Sequence, residues 1–397
     1  MGGGVKAPLP DGAVTSDRVI RSKLPSTGVS IFSVMSRLAE EHGAINLSQG
    51  FPDFDCAPVL VEAVARSMRE GHNQYAPMLG VFALREALSR KIELLYGRRY
   101  DPATEITVTA GATEGLFSTL MALVQPGDEV VLLQPAYDSY GPAVQLSGGI
   151  PVFVTLRGPD YHVDWDDVRR AVTSRTRVIV VNSPHNPTGM LLDREDMREL
   201  GRVLQNTDAV VVADEVYEHM VFDGRSHESV ARHPEIAERA VVISSFGKTY
   251  HTTGWKVGYC AAPRALSVEV ARVHQFVTYA VNGAVQRAYA EFVTRDPAAS
   301  AVAPFYQAKR DRFLSLIEGS RFRPLPCCGT YFQMVDYSAI TDERDSDFAL
   351  RLVRQHGVAA IPVSPFLWEA ESGPVLRFCF AKRDDTLERA AERLRAV

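Results

Sequence analysis

Between Glu105 and about Tyr259 one pattern repeats: a short apolar run rich in β-branched residues, then a stretch with helical periodicity. The runs are ITVTA, EVVLL, PVFVT, TRVIVVN, AVVVAD, AVVISS and KVGYC. They are apolar throughout, not at every second position, so these strands are buried on both faces. Strands that alternate with helices pair in parallel, with the helices crossing over the sheet. The pattern predicts an α/β fold whose large domain is a mainly parallel seven-stranded sheet covered by helices.

The flanks read differently. Residues 1 to about 28 mix Gly, Pro and charge without periodicity and are expected to form an arm that must dock to be ordered. A helix is expected from about Ser30, where Ile31, Val34, Met35 and Leu38 share a face, and two more at 58 to 70 and 81 to 96. Beyond a helix-rich stretch from 265 to about 320, the pieces RFRPL, YFQMVDY, VAAIPV and VLRFCFA, with helices near 346 to 356 and 384 to 396, predict a smaller α+β domain. The expected division is 1–49 as arm and helix belonging to the small domain, 50–289 as the large domain and 290–397 as the rest of the small one.

Composition narrows the function. A net charge of -5 argues against nucleic acid or an anionic membrane as a partner, leaving a small metabolite. No apolar run approaches the ~18 residues that span a bilayer, and the N-terminal MGGGVKAPLPDG lacks the apolar core of a signal peptide. Five cysteines without CxxC spacing suggest neither a disulfide framework nor a metal site, and the adjacent Cys327 and Cys328 read as packing residues. The expectation is a cytoplasmic enzyme.

The segment SSFGKTYHTTGWK, residues 244 to 256, carries the sharpest chemistry. Gly247-Lys248-Thr249 after a strand imitates a nucleotide phosphate loop. That loop needs a glycine five positions before its Gly-Lys pair so that backbone N–H groups can curl around phosphate. Here the position is Val242, inside a strand. A regulator that merely binds a cofactor would need a DNA-binding domain, for which the first 30 residues are too short.

Ligands of open α/β sheets bind beyond the carboxyl ends of the strands. Four such ends carry distinctive residues: Gly111-Ala112-Thr113, Asn186-Pro187-Thr188-Gly189, Asp214 with Tyr217, and Lys248. A lysine amine condenses with an aldehyde, and pyridoxal 5'-phosphate supplies one. Its pyridine nitrogen needs a buried carboxylate, which Asp214 offers; its phenolic oxygen needs donors, which Tyr217 and Asn186 offer. Its phosphate needs backbone N–H groups at a helix start, expected at Gly111 and Ala112 with Thr113 near the N-cap and Glu114 in the first turn. Ser245 and Lys256 would add a hydroxyl and a charge.

In these residues the chain resembles the fold-type I pyridoxal-phosphate enzymes, specifically the class I/II aminotransferases. SFGKTYHTTGWKVGY is similar to their lysine signature, NSPHNPTG to their asparagine loop and VVVADEVYEHM to their aspartate and tyrosine pair. INLSQGFPDFD, NQYAPMLGVFALREAL and ITVTAGATEGLFS resemble the branch of bacterial methionine and kynurenine aminotransferases. The resemblance implies catalytic roles for Lys248, Asp214 and Tyr217, ring stacking by Tyr137, and a substrate-carboxylate clamp at Arg377 assisted by Asn186. It also implies a homodimer in which Tyr75 reaches the neighbour's phosphate site, and a substrate border of Phe32, Gly50 and the partner's Tyr279. The implied reaction is ping-pong transfer of an α-amino group from an apolar or thioether L-amino acid to a 2-oxo acid. A cysteine-conjugate β-lyase with the same lysine and aspartate is the alternative.

Overall fold

The computed structural model describes residues 21–25, 27–368 and 370–397; most of the arm expected over 1–28 lies outside them. All seven apolar runs are strands of one sheet: β1 (Ile106–Thr109), β2 (Glu129–Gln134), β3 (Ile150–Thr155), β4 (Thr176–Asn182), β5 (Val210–Asp214), β6 (Ala240–Ser245) and β7 (Gly258–Ala261). Their order across the sheet is β1-β7-β6-β5-β4-β2-β3. The strands are parallel except β7, which runs against both neighbours.

Burial on both faces is literal. Val130, Leu132, Val178, Val180, Val210 and Val212 join one core with Leu116 and Leu120 of the helix that follows β1. Their chain neighbours Val131, Leu133, Ile179, Val181 and Val211 join another core on the opposite face. Successive side chains of a strand alternate faces, so a helix layer on each side turns every position apolar.

The expected helices form α1 (Ile31–Glu41), α2 (Pro58–Arg69), α3 (Phe82–Tyr96) and α4 (Gly111–Leu123). Then come α5 (Arg264–Val277), α6 (Gly283–Arg295) and α7 (Val302–Ile317), and, nearer the C-terminus, α8 (Asp345–His356) and α9 (Asp384–Arg395). A second sheet holds β8 (Arg323–Pro324), β9 (Phe332–Asp336), β10 (Ile361–Pro362) and β11 (Val375–Cys379) in the order β10-β11-β9-β8. Met35 and Ala39 of α1 and Leu47 share a core with Phe313, Phe348, Phe378 and Leu387, so the N-terminal helix packs with the C-terminal elements. Ile45–Asn46 pairs in parallel with Val358–Ala359 across the same junction.

The five cysteines are free; Cys327 Sγ donates to the Phe332 carbonyl at 3.1 Å. No helix among the described residues is long and apolar enough to cross a membrane.

Candidate active site

A cavity opens where β4, β5 and β6 end. Because β7 runs antiparallel, its start also reaches this edge: Gly258 pairs with Ser245 on one side and Thr109 on the other. Lys256, two residues earlier, is thereby delivered beside the start of α4. Of the sequence-predicted residues, Ala112, Thr113, Tyr137, Asn186, Asp214, Tyr217, Ser245, Lys248 and Lys256 all line the cavity.

Lys248 lies in the short helix Phe246–Thr249 that follows β6, and its Nζ donates to Tyr331 Oη at 3.0 Å. The amine is also within 5.7 Å of the Tyr217 ring centre. Burial, followed by the charge of Lys256, lowers its pKa to about 8. A substantial fraction of this amine is therefore neutral near physiological pH and able to act as nucleophile or base.

Asp214 ends β5 and is buried. Tyr140 Oη donates to its Oδ2 at 2.5 Å, and the Val216 amide donates to Oδ1 at 3.3 Å. Burial raises its pKa, and these two donors work in the other direction. Tyr217, buried one turn later, is held strongly protonated by desolvation. Tyr137 is similarly pushed up to about 12, mainly by burial. Both phenols are donors at neutral pH.

At the other end of the cavity Gly111 opens α4 with φ of 77°. A Cβ there would lie 3.3 Å from Lys256 Nζ, so the missing side chain leaves room between the helix start and the amine. Thr113, expected near the N-cap, is the third residue of the helix. The cap position is Ala110, whose N–H donates to Glu114 Oε2 at 3.0 Å. Glu114 thus satisfies the cap residue's own N–H, and Thr113 faces the cavity.

Arg377 lies behind Asn186, outside the cavity wall. Its Nη1 donates to Asn186 Oδ1 at 2.7 Å and its Nη2 to the Ser48 carbonyl at 3.2 Å. Its buried Nε has no partner. Burial lowers its pKa to about 10, still leaving a cation at neutral pH. Phe32, Phe332 and Phe366 surround the guanidinium, with ring centres 5.1, 3.8 and 5.4 Å from its carbon. Gly50 is pressed against Phe332, where a Cβ would be 2.8 Å from the ring, and its carbonyl accepts from Tyr331 Oη. Tyr75 and Tyr279 stand apart: they touch each other edge-on at 5.5 Å and are 84% and 48% exposed.

Sequence reasoning missed Tyr140, Tyr331, Phe332 and Phe366. Tyr140 could have been found three residues after Tyr137 in PAYDSY. The others come from the C-terminal part, and no local pattern ties them to Lys248.

A sheet of this order with a lysine, an aspartate and an asparagine beyond its strand ends, the asparagine bonded to an arginine of the smaller sheet, is the architecture of the fold-type I aminotransferases. The chain belongs to the family "Aminotransferase class I and II", whose sequence model matches residues 42–394. It is 49% identical to methionine aminotransferase of Escherichia coli (strain K12), over 95% of this chain and 98% of that one. The crystal structure of YbdL from Escherichia coli, reported with a methionine aminotransferase function, superposes with a TM-score of 0.93 at 48% identity, covering 96% of this chain and 100% of that one. N-succinyldiaminopimelate aminotransferase from Mycobacterium tuberculosis is similar at 38% identity and a TM-score of 0.92, covering 95% and 99%. Human kynurenine–oxoglutarate transaminase 1 is 34% identical over 90% of this chain and 93% of its own. The protein is an aminotransferase.

Proposed function

We propose that the enzyme uses pyridoxal 5'-phosphate to move the α-amino group of an apolar or thioether L-amino acid, methionine first, to a 2-oxo acid. The observation that carries this is Lys248 Nζ, a partly neutral amine, in one cavity with Asp214 and beside the Arg377–Asn186 pair. The residues present fit the cofactor. Lys248 would hold its aldehyde carbon, Asp214 its pyridine nitrogen, Tyr217 and Asn186 its phenolic oxygen, and Tyr137 its ring face. Ala112, Thr113, Ser245 and Lys256 would hold its phosphate, in the gap that Gly111 keeps open. When bound, the cofactor supplies a conjugated cationic ring that takes up the electron pair of a breaking Cα–H bond.

The chain's own groups do the rest. Arg377 grips the α-carboxylate with its two-pronged donor face, and its unpartnered Nε supports a further acceptor there. Once the substrate's amino group displaces it from the aldehyde carbon, the freed Lys248 Nζ would take the Cα proton and return it to that carbon, with Tyr331 Oη at 3.0 Å steadying the amine. Asp214, whose carboxylate form the Tyr140 and Val216 donors favour against burial, would balance the positive charge of the ring nitrogen.

A homodimer with shared active sites is part of this reading. Tyr75 and Tyr279 form an exposed aromatic pair, and Phe276, three residues before Tyr279, is 85% exposed; a second copy would cover them. Tyr75 would then reach the partner's phosphate site and Tyr279 its substrate. Phe32 and Gly50 would border the substrate within the chain. The working division remains 1–49, 50–289 and 290–397, and the setting cytoplasmic.

The test is a pair of half-reactions on the holoenzyme, L-methionine first and then a panel of 2-oxo acids. One equivalent of amino group passed to the second acid supports the reading. Release of pyruvate and ammonia from cysteine conjugates, without amino transfer, would overturn it in favour of a lyase.

A further inference from the structure

Gln134 ends β2, is almost wholly buried, and touches neither the cavity nor Lys248. Its carboxamide instead grips the backbone of a single residue from the C-terminal part. Oε1 accepts from the Trp368 N–H at 2.7 Å, while Nε2 donates to the Trp368 carbonyl at 3.3 Å and to Thr155 Oγ1 at 2.9 Å. Two residues on, the Ala136 N–H donates to the Phe366 carbonyl at 2.7 Å. The Trp368 ring stacks on Phe153 at 5.6 Å and 12°. At the segment's start, the Ser364 N–H donates to Asp345 Oδ2 at 2.6 Å. Residues 364–368 are therefore fastened at both ends, with Gln134 standing in for a neighbouring strand.

Between the fastenings lies Phe366. Its ring centre is 5.4 Å from the Arg377 guanidinium carbon and its ring is 5.8 Å from that of Phe32. Of the three rings around Arg377, Phe332 belongs to β9 and Phe32 to α1, where regular structure fixes them. Phe366 sits at the end of one short 3₁₀ turn, so its position depends on what holds the loop. A guanidinium enclosed by rings can only swing if one of them moves.

We propose that Gln134 is a positioning residue for substrate binding: its grip on Trp368 holds Phe366 against Arg377 and so fixes the guanidinium plane that receives the α-carboxylate. This rests on the aminotransferase reading above. The amino donor and the 2-oxo acid both carry that carboxylate, so both should feel the loss of Gln134 equally. Proton transfer at Lys248 should not.

Steady-state kinetics of the holoenzyme test this with Gln134→Leu, Phe366→Ala and the double variant. Gln134→Leu should raise KM about tenfold for L-methionine and for the oxo acid alike, with kcat kept within about twofold. Since Gln134 acts through Phe366, the double variant should bind no worse than Phe366→Ala alone. In a Trp165→Phe, Trp255→Phe background, Trp368 is the sole tryptophan, and its emission should shift to the red when Gln134→Leu is added. An unchanged KM, an effect on only one substrate, additive losses or an unmoved emission would each overturn the proposal. Should Gln134→Leu fail to fold, Phe153→Leu, which removes only the ring stack, carries the same expectations. A wild-type holoenzyme that does not transaminate would instead sink the functional reading, and the emission test would still stand.

Discussion

Arg377 Nη1 donates to Asn186 Oδ1 at 2.7 Å across 191 residues of sequence. The pair joins the strand β11 to the loop after β4, and it leaves Arg377 Nε buried and unpartnered. A cation that has lost its water and keeps a free donor is prepared for an anion. Arg377→Lys would keep the charge but lose the planar fork. We expect kcat/KM to fall by about 2 to 5 kcal/mol, by the same factor for every α-amino acid whatever its side chain. A loss that varied with side chain would mean that Arg377 reads something other than the carboxylate.

How far this site could be read from sequence follows from where its signals lie. The seven strands were legible because doubly buried strands leave continuous apolar runs, and Lys248, Asp214 and Asn186 because each stands just beyond such a run. Thr113, expected near the N-cap, is the third residue of the helix, where the N–H of the cap residue Ala110 goes to Glu114 from within the helix. Tyr331 is 83 residues from Lys248, and Phe366 meets Arg377 only through loop packing. Contacts of that kind are set by the tertiary fold and leave no periodic trace.

Tyr140 Oη donates to Asp214 Oδ2 at 2.5 Å, against the upward pull of burial on that carboxyl's pKa. Asp214→Asn should lower kcat by roughly 10²- to 10³-fold, the scale for losing one preorganised charge. Tyr140→Phe removes one donor only, so Asp214 remains but its pKa rises. The expected cost is about 1 to 3 kcal/mol in kcat/KM, greatest at the acid end of the pH profile. An Asp214→Asn enzyme with wild-type rate would remove the carboxylate from the mechanism.

Lys248 also makes a prediction about stability. Its pKa falls from 10.5 to about 8, mainly through burial. Between those values the unfolded chain binds a proton that the folded one has released, so raising the pH through this window stabilises the fold. In cofactor-free protein the gain should total about 3 kcal/mol over the whole window, about 2 kcal/mol of it between pH 8 and pH 10, and Lys248→Met should lack it. Urea unfolding at pH 8 and pH 10 of wild type and variant measures the difference; parallel curves would show that the amine is not desolvated. Lys248→Ala should, in addition, abolish amino transfer and the borohydride-fixable attachment of pyridoxal phosphate.

Gly258 tests the phosphate seat from behind. A Cβ there would lie 2.6 Å from the Ser244 carbonyl oxygen and 2.8 Å from the Ala112 nitrogen. Both are backbone atoms, so neither can swing aside, and the start of α4 must move relative to Lys256. Gly258→Ala should cost about 1 to 3 kcal/mol of stability through overpacking. It should also raise the Kd for pyridoxal 5'-phosphate about tenfold or more, because open N–H groups at a helix start bind anions only where they are aimed. Phosphate-free pyridoxal, which cannot use that helix start, should bind nearly as it does to wild type. Equal losses for the two ligands would place the damage at the ring or at Lys248, and no loss for either would mean that the phosphate is held elsewhere.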